Sequence, residues 1–174
     1  CLVMSSKEKK IQLGSIDWNA WRPNMLSSLV FIVKDNQVLL IRKKTGLGAG
    51  KVNAPGGKIE ADETAEAAAI REVMEEVKLE VTNLKKMGML KFQFLNGDKL
   101  ALQCTVFKTS TFCGEPEETV EAKPFWCDTN KIPYSEMWAD DVIWLPGVLE
   151  GNCFEGKFVF DDDEMIYKKV LWMN

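Results

Sequence analysis

The chain has 174 residues, 46% of them hydrophobic, a formal net charge of −4 and no histidine. That length and apolar content fit one globular domain around one core, and the acidic balance speaks against a protein that grips polymeric nucleic acid through a basic surface. The missing histidine removes every Ser-His and Cys-His nucleophile, so catalysis here must run on carboxylates, lysines or a metal.

In chain order, "LVFIVKDNQVLLIRKK" gives two β-rich runs around Asp35-Asn36, a hairpin signal. "TGLGAGKVNAPGGK" carries glycines at 46, 48, 50, 56 and 57 and Pro55, so it predicts a shaped loop rather than a regular element. The loop runs into a helix whose start is capped by Asp62 or Thr64, with Glu63 and Glu66 suited to the positive end of its dipole. "MLKFQFLNGDKLALQCTVF" predicts a hairpin turning at Asn96-Gly97. "PYSEMWADDVIWLPGVLEG" reads as a loop entering a short helix, and "KFVFDDDEMIYKKVLW" as a last hairpin or a strand-turn-helix. This order of strands, one acidic helix, more strands and a second helix predicts an α+β domain with helices packed on sheets.

The five cysteines form no Cys-x-x-Cys pair, which suits reduced thiols in a cytoplasmic protein. No apolar run approaches about 18 residues, so no membrane partner is expected. Residues 1–24, with Trp18 and Trp21 able to cover a core edge, read as an N-terminal extension before a domain over 25–174.

The acidic helix is the densest signal. At about 100° per residue, Glu72, Glu75 and Glu76 share one face, with Ile70, Val73, Met74 and Val77 opposite. Ala65, Ala68 and Ala69 lie on the acidic face, where their small side chains are expected to leave room for something else. An acidic face alone is usually a solvated surface. Beside a glycine-rich loop, the same carboxylates can join a backbone carbonyl around a hard cation that prefers oxygen ligands.

Gly57, Glu63, Arg71, Glu72, Val73, Glu75, Glu76 and Leu79 together resemble the signature of the Nudix hydrolase superfamily: Gly, five residues, Glu, seven residues, then Arg-Glu-apolar-x-Glu-Glu-x-Gly-apolar. Lys78 stands where the signature has its second glycine, at an expected strain of at most about 1 kcal/mol. "GLGAGKVNAPGGK", "MLKFQF", "KPFW" and "IPYSEMWADDVIWLP" extend the resemblance to the MutT-type oxidised-purine nucleoside triphosphatases. The fold so implied is a mixed β-sheet sandwiched between α-helices.

The resemblance also implies roles. Gly56 (through its carbonyl), Glu72, Glu75, Glu76 and Glu121 correspond to metal ligands, and the four glutamates to the catalytic set. Glu63 and Arg71 brace loop and helix by an ion pair. Lys43 suits a phosphate contact or a solvated hairpin position. Ser28, Asn53, Phe92, Leu102, Trp138, Asp140 and Asp141 correspond to the nucleobase pocket. On residue type alone, Phe92 and Trp138 fit an ordinary core as well as base stacking, and the two aspartates fit a helix cap as well as a base-reading edge.

The implied activity is Mg²⁺-dependent hydrolysis, with Mn²⁺ as an alternative cation, of oxidised purine nucleoside triphosphates to monophosphate and pyrophosphate in nucleotide-pool sanitation. The partner is then a small nucleotide, and the protein a monomer. Two other readings remain at this level: a pyrophosphohydrolase of nucleotide sugars or dinucleotides, and a catalytically silent nucleotide sensor.

Overall fold

The computed structural model describes Val3, Ser5 and residues 16–173. Its elements follow the predicted order. Strand β1 (Met25–Lys34) turns at Asp35 into β2 (Gln37–Lys43), and the glycine-rich loop leads to the short strands β3 (Val52–Asn53) and β4 (Gly56–Lys58). Helix α1 (Ala65–Val77) follows, then β5 (Glu80–Thr82), β6 (Lys85–Phe94), β7 (Ala101–Thr109), β8 (Thr111–Cys113) and β9 (Ala122–Asp128). A single 3₁₀ turn (Tyr134–Glu136) precedes α2 (Asp141–Leu149), and β10 (Cys153–Asp161) and β11 (Glu164–Met173) close the chain as a hairpin. The open choice for the last segment is thus settled as strand-turn-strand.

The large sheet runs β11-β10-β6-β7-β1-β2-β3, with β4 also paired to β1 and β9 to β2, while β5 and β8 form a separate ribbon. It is mixed: β1 lies parallel to β7 and β10 parallel to β6, and the remaining pairs are antiparallel. Alternation along β1 sends successive side chains to opposite faces. Val30 and Ile32 meet Ala69, Val73 and Val77 of α1, whereas Phe31 meets the other cluster, which includes Trp144, Leu145 and Val148 of α2. The sheet is therefore sandwiched between the two helices, as an α+β domain of this class should be. The hairpin at Asn96-Gly97 forms, but its strands stop at Phe94 and Ala101, so the connection is wider than a two-residue turn.

Thr64, not Asp62, caps α1: its Oγ1 accepts from the N–H of Ala67 at 3.1 Å, while Asp62 sits in the left-handed region before the cap. Two expectations for α1 are corrected. Ala68 and Ala69 are fully buried, and Glu76 is buried beside them, while Met74 of the supposed apolar face is 42% exposed. The buried arc is centred near Glu76 because α1 lies over β1 and β4, and small alanines let the helix approach the strands instead of leaving space. Trp18 stacks on Tyr167 of the edge strand β11 and tilts against Trp21, whose indole N–H donates to Gln93 of the interior strand β6 at 2.9 Å. Among the described residues no helix is long and apolar enough to cross a membrane.

Candidate active site

Three carboxylates meet where α1 faces β4 and the start of β9. Glu72, Glu76 and Glu121 each offer an oxygen within 4.8 Å of the others. Glu72 and Glu76 lie one turn apart on the inward arc of α1, and Glu121 arrives from the segment just before β9. The approach depends on glycine: a Cβ on Gly57 would stand 2.5 Å from Cδ of Glu72, and one on Gly56 would strike the carbonyl of Ser28. The N–H of Gly56 donates to Glu76 at 3.3 Å. This is how Gly56, predicted as a carbonyl ligand, meets the cluster.

Such a cluster is costly without a cation. Burial is the main force on Glu76 and pushes its pKa up to about 8; Glu72 and Glu121 add to the rise, and the Gly56 N–H and the charge of Lys43 oppose it. Glu72 is raised as well, chiefly by burial, with Arg71 pulling the other way. An all-oxygen donor set around a half-buried concentration of negative charge fits a hard divalent cation. Glu75 lies outside the trio, exposed, with a long 3.3 Å contact from Arg71.

Arg71 braces the arrangement from behind. Its guanidinium forks onto Glu63 at 2.7 and 2.8 Å, reaches Glu72 at 2.8 Å and donates to the carbonyl of Lys58 at 3.0 Å. The predicted Glu63–Arg71 pair therefore ties the loop after β4 to the helix and aims Glu72. The hydrogen bonds from Arg71 and from the Glu60 N–H hold the Glu63 carboxyl down at about 2.

Next to the carboxylates opens a cleft of about 290 Å³. Every residue predicted for the base pocket lines it, namely Ser28, Asn53, Phe92, Leu102, Trp138, Asp140 and Asp141, and so do Lys43, Gly56 and Glu76. The aspartates are 1% and 3% exposed. Asp140 stands at the N-cap position of α2 yet makes no capping hydrogen bond. Its Oδ2 instead accepts from the indole N–H of Trp144 at 2.8 Å, while Asp140 Oδ1, Asp141 Oδ2 and Ser28 Oγ are buried without a partner. Unpaired buried polar atoms each cost on the order of 1–3 kcal/mol, and three of them on residues that line the cleft are what a polar ligand would satisfy. Burial lifts Asp140 to about 6 and raises Asp141 well above the ordinary carboxylate range, the second also by the charge of the first. Asn53 Oδ1 accepts from the N–H of Ala54 at 2.8 Å, so its amide nitrogen is the end with donors to offer.

Residues 23–147 match the NUDIX domain family. The chain belongs to the NUDIX family. Similar proteins include the oxidized purine nucleoside triphosphate hydrolase of Danio rerio, 43% identical over 146 residues that cover 84% of this chain and 93% of the relative. The protein of the same description from Mus musculus is 38% identical over the same shares. Among solved structures, the mutator MutT protein of Bacillus halodurans superposes with a TM-score of 0.74 at 25% identity, covering 84% of this chain and 97% of that one.

Sequence reasoning missed part of the NUDIX cleft. Phe94 and Phe160 line it and hold Trp138 edge-on, at 5.8 and 5.3 Å between ring centroids. Phe94 was within reach, since it lies two residues after Phe92 on the same strand face. Phe160 was not, because only the β10–β6 register brings it beside Phe94. Leu47, 45% exposed on the glycine-rich loop, stands at the mouth.

Proposed function

We propose that this NUDIX protein hydrolyses oxidised purine nucleoside triphosphates, adding water across the bond between the α- and β-phosphates to release a nucleoside monophosphate and pyrophosphate. The carrying observation is the junction of a carboxylate trio with an aromatic cleft that ends on two buried aspartates holding unpartnered oxygens. A phosphate chain and a purine need those two environments side by side. The names of the Danio rerio and Mus musculus relatives agree with this reading.

Glu72, Glu76 and Glu121 would hold a divalent cation, for which Mg²⁺ is the proposed physiological ion and Mn²⁺ a substitute. Bound there, a cation would supply charge neutralisation for the phosphates and a more acidic water. Lys43, at the cleft beside Glu76, adds positive charge for the phosphates. A carboxylate next to the trio orients the attacking water or takes its proton, and Glu75 is the one that solvent reaches. Phe92 and Trp138 offer ring faces to the base, and Asn53, Asp140 and Asp141 read its edge. Phosphoryl transfer relies on positioning and charge stabilisation, so a chain without histidine is adequate.

The test is pyrophosphate release from normal and oxidised purine triphosphates, nucleotide sugars and dinucleotides, with and without Mg²⁺. Metal-dependent release that favours an oxidised purine triphosphate is expected. Preference for a nucleotide sugar, or no release from any of them, would overturn the assignment.

A further inference from the structure

An α-helix leaves its last carbonyls without intrahelical donors. At the end of α1 the N–H of Lys78 reaches the carbonyl of Met74, and the carbonyls of Glu76 and Val77 are taken from outside the helix. The Thr119 hydroxyl donates to the Glu76 carbonyl at 2.7 Å, and the Glu117 N–H donates to the Val77 carbonyl at 2.9 Å. Both donors belong to the segment that delivers Glu121 to the site.

The same hydroxyl has a second task. Thr119 Oγ1 accepts the N–H of Glu121 at 3.3 Å, which a hydroxyl can do while donating, because it carries one proton and two lone pairs. One oxygen atom thus joins the backbones of Glu76 and Glu121. Lys44 closes the turn from the other side: its Nζ donates to the Thr119 carbonyl at 2.8 Å and pairs with Glu118 at 2.7 Å, and its N–H donates to the Glu121 carbonyl at 2.9 Å. Ala122 is anchored in the core, but Val120 at the tip is 85% exposed. Outside Ala122, polar contacts rather than apolar packing set where Glu121 stands.

We infer that Thr119 is the positioning residue that sets Glu121 against Glu76, so that the third carboxylate stands ready for a cation instead of being ordered by it. This rests on the reading of Glu72, Glu76 and Glu121 as the cation site. Residues that orient a ligand from behind typically carry a ten- to hundredfold share of metal affinity. Nothing in the spacing of the acidic helix announces Thr119, since its two partners are backbone atoms.

The experiment measures Mn²⁺ affinity of the nucleotide-free protein from the electron paramagnetic resonance of free ion. Thr119→Val, which keeps the shape and removes the hydroxyl, is expected to weaken Mn²⁺ binding about tenfold; Thr119→Ala, carried in parallel against a folding defect in the first variant, should do the same. Thr119→Ser should restore binding to within about twofold, because it returns the hydroxyl. In a Glu121→Gln background, Thr119→Val should cost nothing more, because a residue that acts only through Glu121 has no effect once that ligand is gone. Wild-type affinity in the hydroxyl-free variants, or a full loss repeated in the Glu121→Gln background, overturns the proposal alone. A Glu121→Gln protein that binds Mn²⁺ as tightly as wild type removes Glu121 from the cation site and overturns both readings.

Discussion

Asp140 accepts the indole N–H of Trp144 at 2.8 Å through one carboxylate oxygen and keeps the other, buried, without a partner. Trp144 is fully buried and stacked on Phe154 at 5.1 Å, so Asp140, which lines the cleft, is held by the core. Burial raises both carboxyls, Asp141 also through the charge of Asp140, and a pair that shares one proton presents both a donor and an acceptor. A guanine-type edge offers N–H donors to a carboxylate, and an adenine-type ring nitrogen needs a donor.

Asp140→Asn and Asp141→Asn should therefore each shift the ratio of kcat/KM between 8-oxo-dGTP and 2-hydroxy-dATP by about tenfold, about 1.4 kcal/mol in differential transition-state binding. In the wild type, lowering the pH through about 6 protonates Asp140 and should raise the relative rate on the substrate that needs a donor. A common factor on every substrate would mean that the pair supports structure only.

Glu72→Gln and Glu76→Gln should each remove most turnover with the fold intact, since an amide keeps the shape and loses the charge that holds a cation. Glu76, at about 8 in the metal-free protein, must lose its proton to bind metal, so Mg²⁺ affinity should rise with pH up to about 8 and level off above it. The stability sign is opposite. A folded pKa raised above the unfolded value gives a contribution that is complete below the unfolded pKa and disappears as pH rises through the folded one. The melting temperature of the metal-free protein should thus fall between about pH 4.5 and 8, and Glu76→Gln should flatten that fall, as calorimetry across the pH series would reveal.

Gly57→Ala tests the close approach of β4 to α1. The added methyl would sit 2.5 Å from the Glu72 carboxyl carbon, so Glu72 must leave its position against Arg71 and the trio. Metal affinity should drop at least tenfold, with a loss of about 1–3 kcal/mol in stability from overpacking, measurable by metal titration and by denaturant unfolding. Alanine tolerated at no cost would show that Glu72 has room to move.

Lys78→Gly tests the departure from the family signature. Lys78 takes a left-handed conformation at φ 62° to end α1, which costs a side-chain-bearing residue more than glycine. Glycine there should stabilise the protein by about 0.5–1 kcal/mol, with unchanged kcat and Mg²⁺ affinity. Equilibrium unfolding in urea reads the first quantity, and a loss of stability would place compensating contacts in the Lys78 side chain.

Local chemistry made much of this protein legible without coordinates. Alternation and turn residues marked the hairpins at Asp35 and Asn96-Gly97, the signature from Gly57 to Leu79 marked the acidic helix, and Glu63 and Arg71 declared their ion pair, because each depends on residues close in sequence. The tertiary structure alone decided the rest. Helical periodicity separates two faces of α1 but does not say which one meets the sheet; the packing of Ala68, Ala69 and Val73 on the strands turned Glu76 inward, and that burial is what raises its pKa. Likewise Glu121 stands with Glu72, and Phe160 with Phe94 and Trp138, through strand register and backbone hydrogen bonds between segments far apart in the chain. Such contacts form only when the sheet closes, so no local pattern of residue types encodes them.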